Sequence, residues 1–403
     1  MENSNNASHR SKILLISPAH PLRGGIAASS ERLAQALQSE GYEVVIYSFS
    51  LQYPAFLFPG KSQFTDDPPP PGLHICTRLN SINPFNWLVV GREIARERPS
   101  RIIVRFWLPL MGPCLGSVLR VARFFSSQKP CITALVDNII PHEKRMGDRL
   151  FAQWFVGACN DFVVMSKSVG EEIEHFLPQI SPASRGGAPR IRFAPHPLYD
   201  TYGDPLEKNA ARQILGIPKG VPLVLFFGFI RKYKGLDILL ESLAHAPDIH
   251  ALVAGETYED WQPYQEIIDR RGLADRLYLH TDFIPAEQVR VFFSAADLVV
   301  QPYRTATQSG ISQIAYHFEK PMVVTRVGGL PEIVTDGISG YVVEPTPEAI
   351  ARAIRDFFEN KREAAMAAGA RAEKRRFSWK NLTQTILGTE PAAQNWNPMR
   401  EGK

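Results

Sequence analysis

Short apolar runs alternate with stretches of helical spacing from residue 12 onward. Lys12–Ser17 has the length and apolarity of a buried strand, and Ile26–Glu40 repeats apolar residues at helical intervals until Gly41. The next run, Tyr42–Phe49, again has the length of a strand. A strand, a helix and a second strand in this order predict the first unit of a doubly wound parallel sheet.

The same alternation predicts further elements in both halves of the chain. In the first half, the pattern predicts strands at Arg101–Phe106, Cys131–Val136, Phe162–Met165 and Ile191–Ala194, with helices at Asn86–Glu97, Leu115–Phe125 and Arg149–Ala158. In the second half, it predicts strands at Leu223–Phe227, His250–Ala254, Leu277–His280, Leu298–Pro302 and Pro321–Thr325. We therefore expect an α/β protein with two sets of βα units.

Length and proline content divide the chain into two domains. Its 403 residues exceed one ordinary core, and Pro195-His196-Pro197 separates the two sets of predicted strands. We expect a disordered lead-in at 1–10, a first Rossmann-like domain at 11–197, a second at 198–386 and a loose tail at 387–403.

The stretch Leu223–Leu240 predicts an anion site. A buried strand ends at Gly228, a turn carries Arg231, Lys232 and Lys234, and helical spacing begins at Leu236. A helix N-terminus offers unpaired N–H groups and a positive dipole, and the cations add full charge. We interpret this turn as a diphosphate site, with a basic solvated loop as the alternative.

A second anion site is predicted after the strand Leu298–Pro302. Gln308, Ser309 and Gly310 precede a helix that starts near Ile311, so small or polar residues lie at a helix start.

Two glutamates follow other strands of the second domain. Glu256 follows the strand His250–Ala254, and Glu332 follows the strand Pro321–Thr325. We assign both to the donor site, because ligands bind at the carboxyl ends of parallel strands.

The first half also has candidate site residues at strand ends. Gly24 and Gly25 follow the first strand and allow close approach of backbone to a ligand. Asp137 and His142 lie just past the strand Cys131–Val136, where ionisable groups are well placed for chemistry. Loop capping is the alternative role for such residues.

Composition limits the function classes. The net charge is only +4 and no nucleic-acid signature is present, so we expect no nucleic-acid partner. Four widely spaced cysteines form no C-x-x-C pair, which favours a reducing cytosol over a zinc or disulfide site. The polar N-terminus lacks the apolar core of a signal peptide, and we predict a cytoplasmic location.

Two segments raise the question of membrane contact. Phe106–Leu119 is too short to span a bilayer and is interrupted by prolines and glycines, so it is either buried or interfacial. The aromatic loop Tyr53–Phe58 either packs locally or touches an amphiphilic acceptor. We hypothesise a lipid-linked acceptor and peripheral contact with the inner face of a membrane, aided by Arg101, Arg105, Arg120 and Arg123.

The motifs taken together resemble the GT-B glycosyltransferases of the large retaining family 4. The most specific segments are FFGFIRKYKGLDILLESL, DLVVQPYRTATQSGISQIAY and KPMVVTRVGGLPEIVTDGISGYVV. The resemblance implies two Rossmann-like doubly wound parallel-sheet domains facing across a cleft. It also implies that Lys234 and Arg231 hold the donor diphosphate, Phe283 and Ile284 lie where the backbone reads the nucleobase, and Gly24-Gly25 meets the donor phosphates.

The chain departs from the family pattern at two places. The common E-x7-E pair aligns with Ala306 and Ile314, so sugar and ribose hydroxyls must be held by other groups. Subgroup relatives often read H-N-x-x-P-H-E, and the first His is Asp137 here. Either Asp137 takes a related polar role, His142 gains importance, or activity is reduced.

The resemblance implies a hexosyltransferase-like enzyme that moves a sugar from a nucleotide-diphosphate sugar to a hydroxyl acceptor with retention. We expect no cofactor and no metal, because no D-x-D-like motif is convincing. Surface polysaccharide or glycolipid assembly is the hypothetical setting. The alternatives are a nucleotide-sugar epimerase on the same fold, a catalytically weakened nucleotide-sugar-binding protein and, with least support, a dinucleotide dehydrogenase.

Overall fold

The computed structural model describes residues 11–54, 63–140, 146–179, 189–306 and 309–389. Internal contacts divide the chain into two compact units. One comprises the chain up to Pro195 together with the segment from Trp379 onward, and the other comprises His196–Ser378.

The first unit is built on a seven-stranded sheet in which every pair is parallel. Its strands are β1 (Lys12–Ile16), β2 (Glu43–Leu51), β3 (His74–Asn80), β4 (Arg101–Phe106), β5 (Cys131–Val136), β6 (Asp161–Val164) and β7 (Arg190–Phe193). Its first five helices are α1 (Gly25–Ser39), α2 (Pro84–Arg96), α3 (Gly112–Phe125), α4 (Asp148–Val156) and α5 (Lys167–Glu174). The order β3-β2-β1-β4-β5-β6-β7 confirms the predicted doubly wound sheet.

The second unit repeats this plan with six parallel strands. They are β8 (Leu223–Phe227), β9 (His250–Ala254), β10 (Leu277–His280), β11 (Leu298–Gln301), β12 (Met322–Thr325) and β13 (Gly340–Val343), in the order β10-β9-β8-β11-β12-β13. Its helices are α6 (Lys208–Ile214), α7 (Leu236–Leu243), α8 (Gln262–Arg271), α9 (Ala286–Ala295), α10 (Gly310–His317), α11 (Leu330–Ile333), α12 (Pro347–Glu359) and α13 (Glu363–Glu373).

The strands at the centre of each sheet are apolar at nearly every position because helices cover both faces. In the first unit, Leu14 and Ile16 face a core shared with α2, α3 and α4, whereas Ile13 and Leu15 face a core shared with α1. Alternate residues of one strand thus enter two different cores. Such strands appear as continuous apolar runs, which is why the sequence located them.

The C-terminal helix corrects the predicted domain boundary. The sequence placed residues up to 386 in the second domain, but α14 (Trp379–Leu387) belongs to the first unit. Its buried face, including Leu382 and Ile386, packs in the same core as α1. Arg101 on β4 donates hydrogen bonds to the carbonyl oxygens of Ile386 and Leu387, at 3.1 and 3.2 Å. These bonds satisfy carbonyls that a helix end otherwise leaves unpaired.

Most of Phe106–Leu119, one of the two segments considered for membrane contact, is buried inside the first unit. Most of Phe106–Leu119 lies in the core of the first unit, so this segment is buried rather than interfacial. Arg101 and Arg105 bond to groups inside that unit instead of facing outward. Of the aromatic loop, Tyr53 packs against the core and its hydroxyl accepts a hydrogen bond from Trp107, whereas residues 55–62 lie outside the described ranges.

No helix within the described ranges is both long and apolar enough to span a bilayer. The cytoplasmic location stays a prediction.

Candidate donor site and its counterpart in the first unit

The predicted basic turn follows β8, at the point where the strand order of the second sheet reverses. Chain order runs outward from β8 through β9 to β10 and then returns to β11 on the other side of β8. Loops that leave the carboxyl ends of β8 and β11 separate there, which leaves room for a ligand. Both predicted anion sites of the second unit lie on these two loops.

Two glycines bring neighbouring loops into direct contact. Gly228 has a φ of +97° and Gly255 a φ of +143°, values that residues with a side chain rarely adopt. A Cβ on Gly255 would lie 2.3 Å from the carbonyl oxygen of Gly228. The loops are joined by backbone hydrogen bonds from Gly228 to Ala254 and from Ile230 to Glu256, each 2.9 Å. The predicted site residues Gly228 and Glu256 therefore lie on two loops that contact each other directly.

Lys234 ends a short 3-10 turn and folds back over Gly228. A Cβ on Gly228 would lie 2.9 Å from Lys234 Nζ and 3.1 Å from Ile311 Cδ1, so the two predicted anion loops meet here. The Lys234 side chain is only 8% exposed, and no acidic side chain among the described residues pairs with it. Burial lowers the pKa of Lys234, the nearby Tyr233 opposes that shift, and Arg231 adds to it.

Arg231 lies at the start of the same turn. Its guanidinium carbon is 5.1 Å from the ring centroid of Tyr258, and its Nε is buried without a hydrogen-bond partner among the described residues. The Tyr258 hydroxyl in turn donates to the Glu256 carboxylate at 3.0 Å. Phe229 packs edge-on against Tyr258 and stays half exposed. An unpaired guanidinium N–H beside a buried lysine is suited to an anionic ligand.

A second arginine fixes the shape of the turn. Arg304 forms a two-point ion pair with Asp237 at 2.8 and 2.6 Å and donates to the carbonyl oxygen of Lys232 at 3.0 Å. Its backbone N–H donates to the carbonyl of Tyr233 at 2.7 Å. The sequence did not identify Arg304 or Asp237, because they are separated by 67 positions and only the fold brings them together.

The start of α10 forms the other side of this region. The Ser309 hydroxyl donates to the buried Gln301 at 2.6 Å, so this hydroxyl faces the interior instead of a ligand. Gly310 lies beneath the ring of Tyr199, whose Cε2 is 2.9 Å from the place of a Cβ. Gln308 lies outside the described residues. Backbone N–H groups of α10, rather than the Ser309 hydroxyl, are therefore the available anion contacts.

The remaining predicted donor residues lie on neighbouring loops. Phe283 follows β10 and its side chain is 62% exposed, whereas Ile284 packs against the core. The loop that follows β10 reaches the Glu256 loop through a hydrogen bond from Thr257 N–H to the Thr281 carbonyl. Glu332 lies in the short helix α11, where its carbonyl accepts from Arg376.

The expected carboxylate pair is absent, as the alignment indicated. Ile314 is buried in the core of the second unit, and Ala306 is partly buried against the same core. The Ala306 carbonyl accepts a hydrogen bond from the Gly329 N–H, which joins this loop to α11.

In the first unit, Gly24 and Gly25 form the start of α1. Gly24 has a φ of +115°, and the space where its Cβ would lie is open. The start of α1 supplies backbone N–H groups that lack partners within the helix, and contact of this loop with donor phosphates stays a prediction.

Asp137 is held by a buried arginine from the next strand. Arg105 on β4, only 2% exposed, binds both carboxylate oxygens of Asp137 at 2.7 and 2.8 Å. The same guanidinium donates to the Ser29 and Ser30 hydroxyls of α1 at 3.0 and 3.2 Å. Asp137 therefore connects the end of β5, through Arg105, to the first turns of α1. His142 lies outside the described residues.

Within the described ranges, no group of three or more His, Cys, Asp or Glu side chains could hold a metal ion. Metal independence stays a prediction.

A family model described as glycosyl transferases group 1 matches residues 207–375. The match spans less than half of the chain, and this segment is similar to a glycosyl transferases group 1 domain. The Gly228 turn, Lys234, the start of α10 and the Phe283 loop all lie within the matched segment.

Similarity to known proteins extends beyond that domain. A D-inositol 3-phosphate glycosyltransferase of Xylanimonas cellulosilytica is 31% identical over 214 residues, which cover 50% of this chain and 51% of the relative. The chain thus matches about half the length of its curated relatives.

Solved structures establish the fold. Sucrose-phosphate synthase from Thermosynechococcus elongatus aligns with a TM-score of 0.69 and 18% identity over 94% of this chain and 98% of its own. HepE from Anabaena in complex with UDP aligns with a TM-score of 0.68 and 19% identity over 94% and 99%. The GT-B fold implied by the sequence motifs is confirmed, whereas assignment to the retaining family 4 stays a prediction.

Proposed function

We propose that this protein transfers a sugar from a nucleoside-diphosphate sugar to a hydroxyl acceptor. The observation that carries the proposal is Lys234, a buried lysine without an acidic partner among the described residues, next to the start of α10. Burying an unpaired ammonium group is costly unless a bound anion compensates it. A diphosphate supplies such charge in a compact form, and the group 1 domain match agrees with it.

The residues of the turn suit the departure of a nucleoside diphosphate. As the bond from the sugar to the diphosphate breaks, negative charge grows on the leaving oxygen. Lys234, the unpaired Nε of Arg231 and the N–H groups at the start of α10 would stabilise that charge in a water-poor site. The exposed ring of Phe283 is available to contact the base. Since HepE binds UDP, UDP-sugars are the first donors to test.

Metal independence and retention of configuration are further parts of the proposal. The fixed cations do the charge stabilisation that a metal ion would otherwise supply. We propose that the acceptor hydroxyl attacks from the face that the diphosphate leaves, without a covalent intermediate. Turnover in excess EDTA and NMR of the product's anomeric centre test these two statements.

The first unit is proposed to serve the acceptor, with Asp137 as a polar group near the start of α1. A glycan or lipid-linked acceptor is proposed, in surface polysaccharide or glycolipid assembly. The curated relatives are named D-inositol 3-phosphate glycosyltransferases. D-inositol 3-phosphate therefore belongs in the first panel of acceptors to be assayed.

The decisive experiment is a metal-free thermal-shift screen of UDP-, GDP-, ADP- and CMP-sugars on wild type, Lys234→Met and Lys232→Met. Lys232 is an exposed lysine of the same turn and is the matched control. We expect one donor class to raise the melting temperature of wild type and Lys232→Met but not of Lys234→Met. No shift with any nucleotide sugar would contradict the proposal.

A catalytically weakened binding protein is the second candidate. The observation that favours it is Asp137, whose two carboxylate oxygens are both engaged by Arg105. Tight donor binding with neither transfer nor hydrolysis across a broad acceptor panel would select this candidate. Transfer to any acceptor would exclude it.

A further inference from the structure

The outer surface of α2, α3 and α4 in the first unit exposes large apolar side chains. These three helices pack side by side on one face of the sheet, α2 against α3 and α3 against α4. Phe85 and Phe124 are each 81% exposed, and Leu150 and Trp154 are also exposed. Large side chains exposed together on one face indicate an interaction surface, whereas single exposed ones are ordinary.

On α2 the exposed residues form one stripe. Phe85, Leu88, Val89 and Arg92 are spaced at i, i+3, i+4 and i+7, so they lie along the same side of the helix, opposite the buried Val90 and Ile94. A helix that packs only on the sheet needs one apolar stripe. This helix has a second one that faces away from the core.

Cations are interspersed with these apolar groups. The Arg92 guanidinium lies 4.5 Å from the ring centroid of Phe125, which joins the α2 stripe to the end of α3. Between α3 and α4 the Arg120 guanidinium lies 3.9 Å from the ring of Trp154. Each arginine thus rests its flat group on an aromatic ring, an arrangement common where aromatic and basic side chains meet a polar interface.

A groove of about 690 Å³ opens at the ends of α3 and α4. The described residues that line it include Arg120, Arg123 and Lys129 and no acidic residue, together with the apolar Phe124 and Leu150. Three cations beside apolar walls suit a ligand that is anionic at one end and apolar at the other. Phospholipids in a bilayer have this composition.

We propose that the α2–α4 surface, defined by the α2 stripe and this groove, docks on a bilayer that contains anionic lipids. Phe85 and Phe124 enter the headgroup region, and Arg92, Arg123 and Lys129 bind lipid phosphates. Apolar insertion and electrostatic attraction then add, as peripheral membrane binding requires.

A second copy of the chain fits the same surface less well. In a two-fold interface the same patch faces itself, so the groove cations of one copy would meet those of the other. The groove has no acidic lining residue among those described to balance them. An anionic membrane supplies the missing negative charge.

Co-sedimentation with vesicles tests the proposal without donor or acceptor, so it stands or falls separately from the proposed activity. One variant is Phe85→Ser/Phe124→Ser and another is Arg92→Glu/Lys129→Glu, all at exposed positions. The control is Ile214→Ser, an exposed apolar residue of the second unit. Thermal melts establish that each variant is folded.

We expect wild type and Ile214→Ser to bind vesicles of phosphatidylcholine with phosphatidylglycerol, and phosphatidylcholine alone at least about tenfold more weakly. The serine variant should lose at least about tenfold in binding to the mixed vesicles, and the glutamate variant should lose the preference for anionic lipid. Absence of wild-type binding at low salt, or unchanged binding by both variants, would overturn the proposal. So would a wild-type dimer, seen by light scattering, that the serine variant abolishes.

Discussion

Arg105 in the first unit and Lys234 in the second are both buried near the carboxyl edge of their sheets, and the two cations differ in what balances them. Arg105 in the first unit is bound at two points by Asp137 and also by hydroxyls of α1. Lys234 in the second unit is nearly as buried but has no acidic partner in the part of the chain that the structure describes. A side chain balanced within the protein holds elements together, whereas an unbalanced one retains its charge for a ligand.

The largest effect is expected from breaking the balanced pair. Arg105→Met leaves the Asp137 carboxylate partly buried without its partner, so we expect a loss of about 3–5 kcal/mol in the free energy of unfolding. Urea denaturation measures it. The double variant Arg105→Met/Asp137→Leu removes both charges and should cost less than the single one. If single and double variants lose equal stability, the pair is not coupled.

Lys234→Met should show the opposite pattern. We expect UDP affinity to fall about 100-fold, roughly 2.7 kcal/mol, because the diphosphate loses a water-excluded cation. Stability in the absence of ligand should stay equal or rise, since no charge needs to be buried. Calorimetric titration and melting curves measure the two quantities.

The matched control for that variant is Lys232→Met, which we expect to change affinity no more than about threefold. Should Lys234→Met unfold the protein more readily while keeping its UDP affinity, Lys234 would be a structural residue like Arg105.

A smaller effect is expected from crowding the lysine. Gly228→Ala places a methyl group within 2.9 Å of Lys234 Nζ and 3.1 Å of Ile311 Cδ1, so the lysine must shift. We expect a loss of about tenfold in UDP affinity, besides about 1 kcal/mol of backbone strain. Gly216→Ala, also at positive φ but with open space around it, should show the strain alone. Equal UDP affinity in the two variants would show that the Lys234 position tolerates displacement.

The smallest expected effect is the uptake of a fraction of a proton when UDP binds. Burial lowers the pKa of free Lys234 below 10.5, and a bound diphosphate should raise it again. At a pH between the pKa of the free protein and that of the complex, UDP binding takes up protons, and the affinity weakens as pH rises through this range.

Titration calorimetry in buffers of different ionisation enthalpy measures this uptake. It should disappear in Lys234→Met and persist in Lys232→Met. Uptake of the same size in Lys234→Met would assign it to another group.

Much of the fold could be predicted from the sequence, because the spacing of apolar residues and the glycines and prolines that end each element are local features. β4, β5, β8 and β9 have the predicted bounds, since mostly apolar residues mark strands covered on both faces. β10 also has the predicted bounds, although it lies at the edge of its sheet and is only partly buried. β3 was not predicted: it lies at the edge of its sheet, and most of its residues are partly or fully exposed. The unit to which α14 belongs is set by its packing against α1, more than 300 residues earlier in the chain, and no local pattern encodes that contact.

The donor-site residues also divide into those that local sequence identified and those whose contacts only the fold revealed. Gly228, Arg231 and Lys234 are close in sequence and could be named from one turn, whereas the contact of Lys234 with Ile311 required the fold. Asp137 was identified as polar and well placed, but its partner Arg105 was assigned to a membrane-facing set. Arg105 on β4 and Asp137 just past β5 meet only because these two strands pair.

Two sets of parallel strands, and the basic turn at the centre of the second set, could be predicted from local sequence. This was possible because periodicity, glycine positions and local charge act over a few residues. Which buried cation has an acidic partner and which has none among the described residues could be learned only from the folded chain. Neutralisation of a buried charge depends on side chains from distant segments, and burial itself is a property of the packed chain.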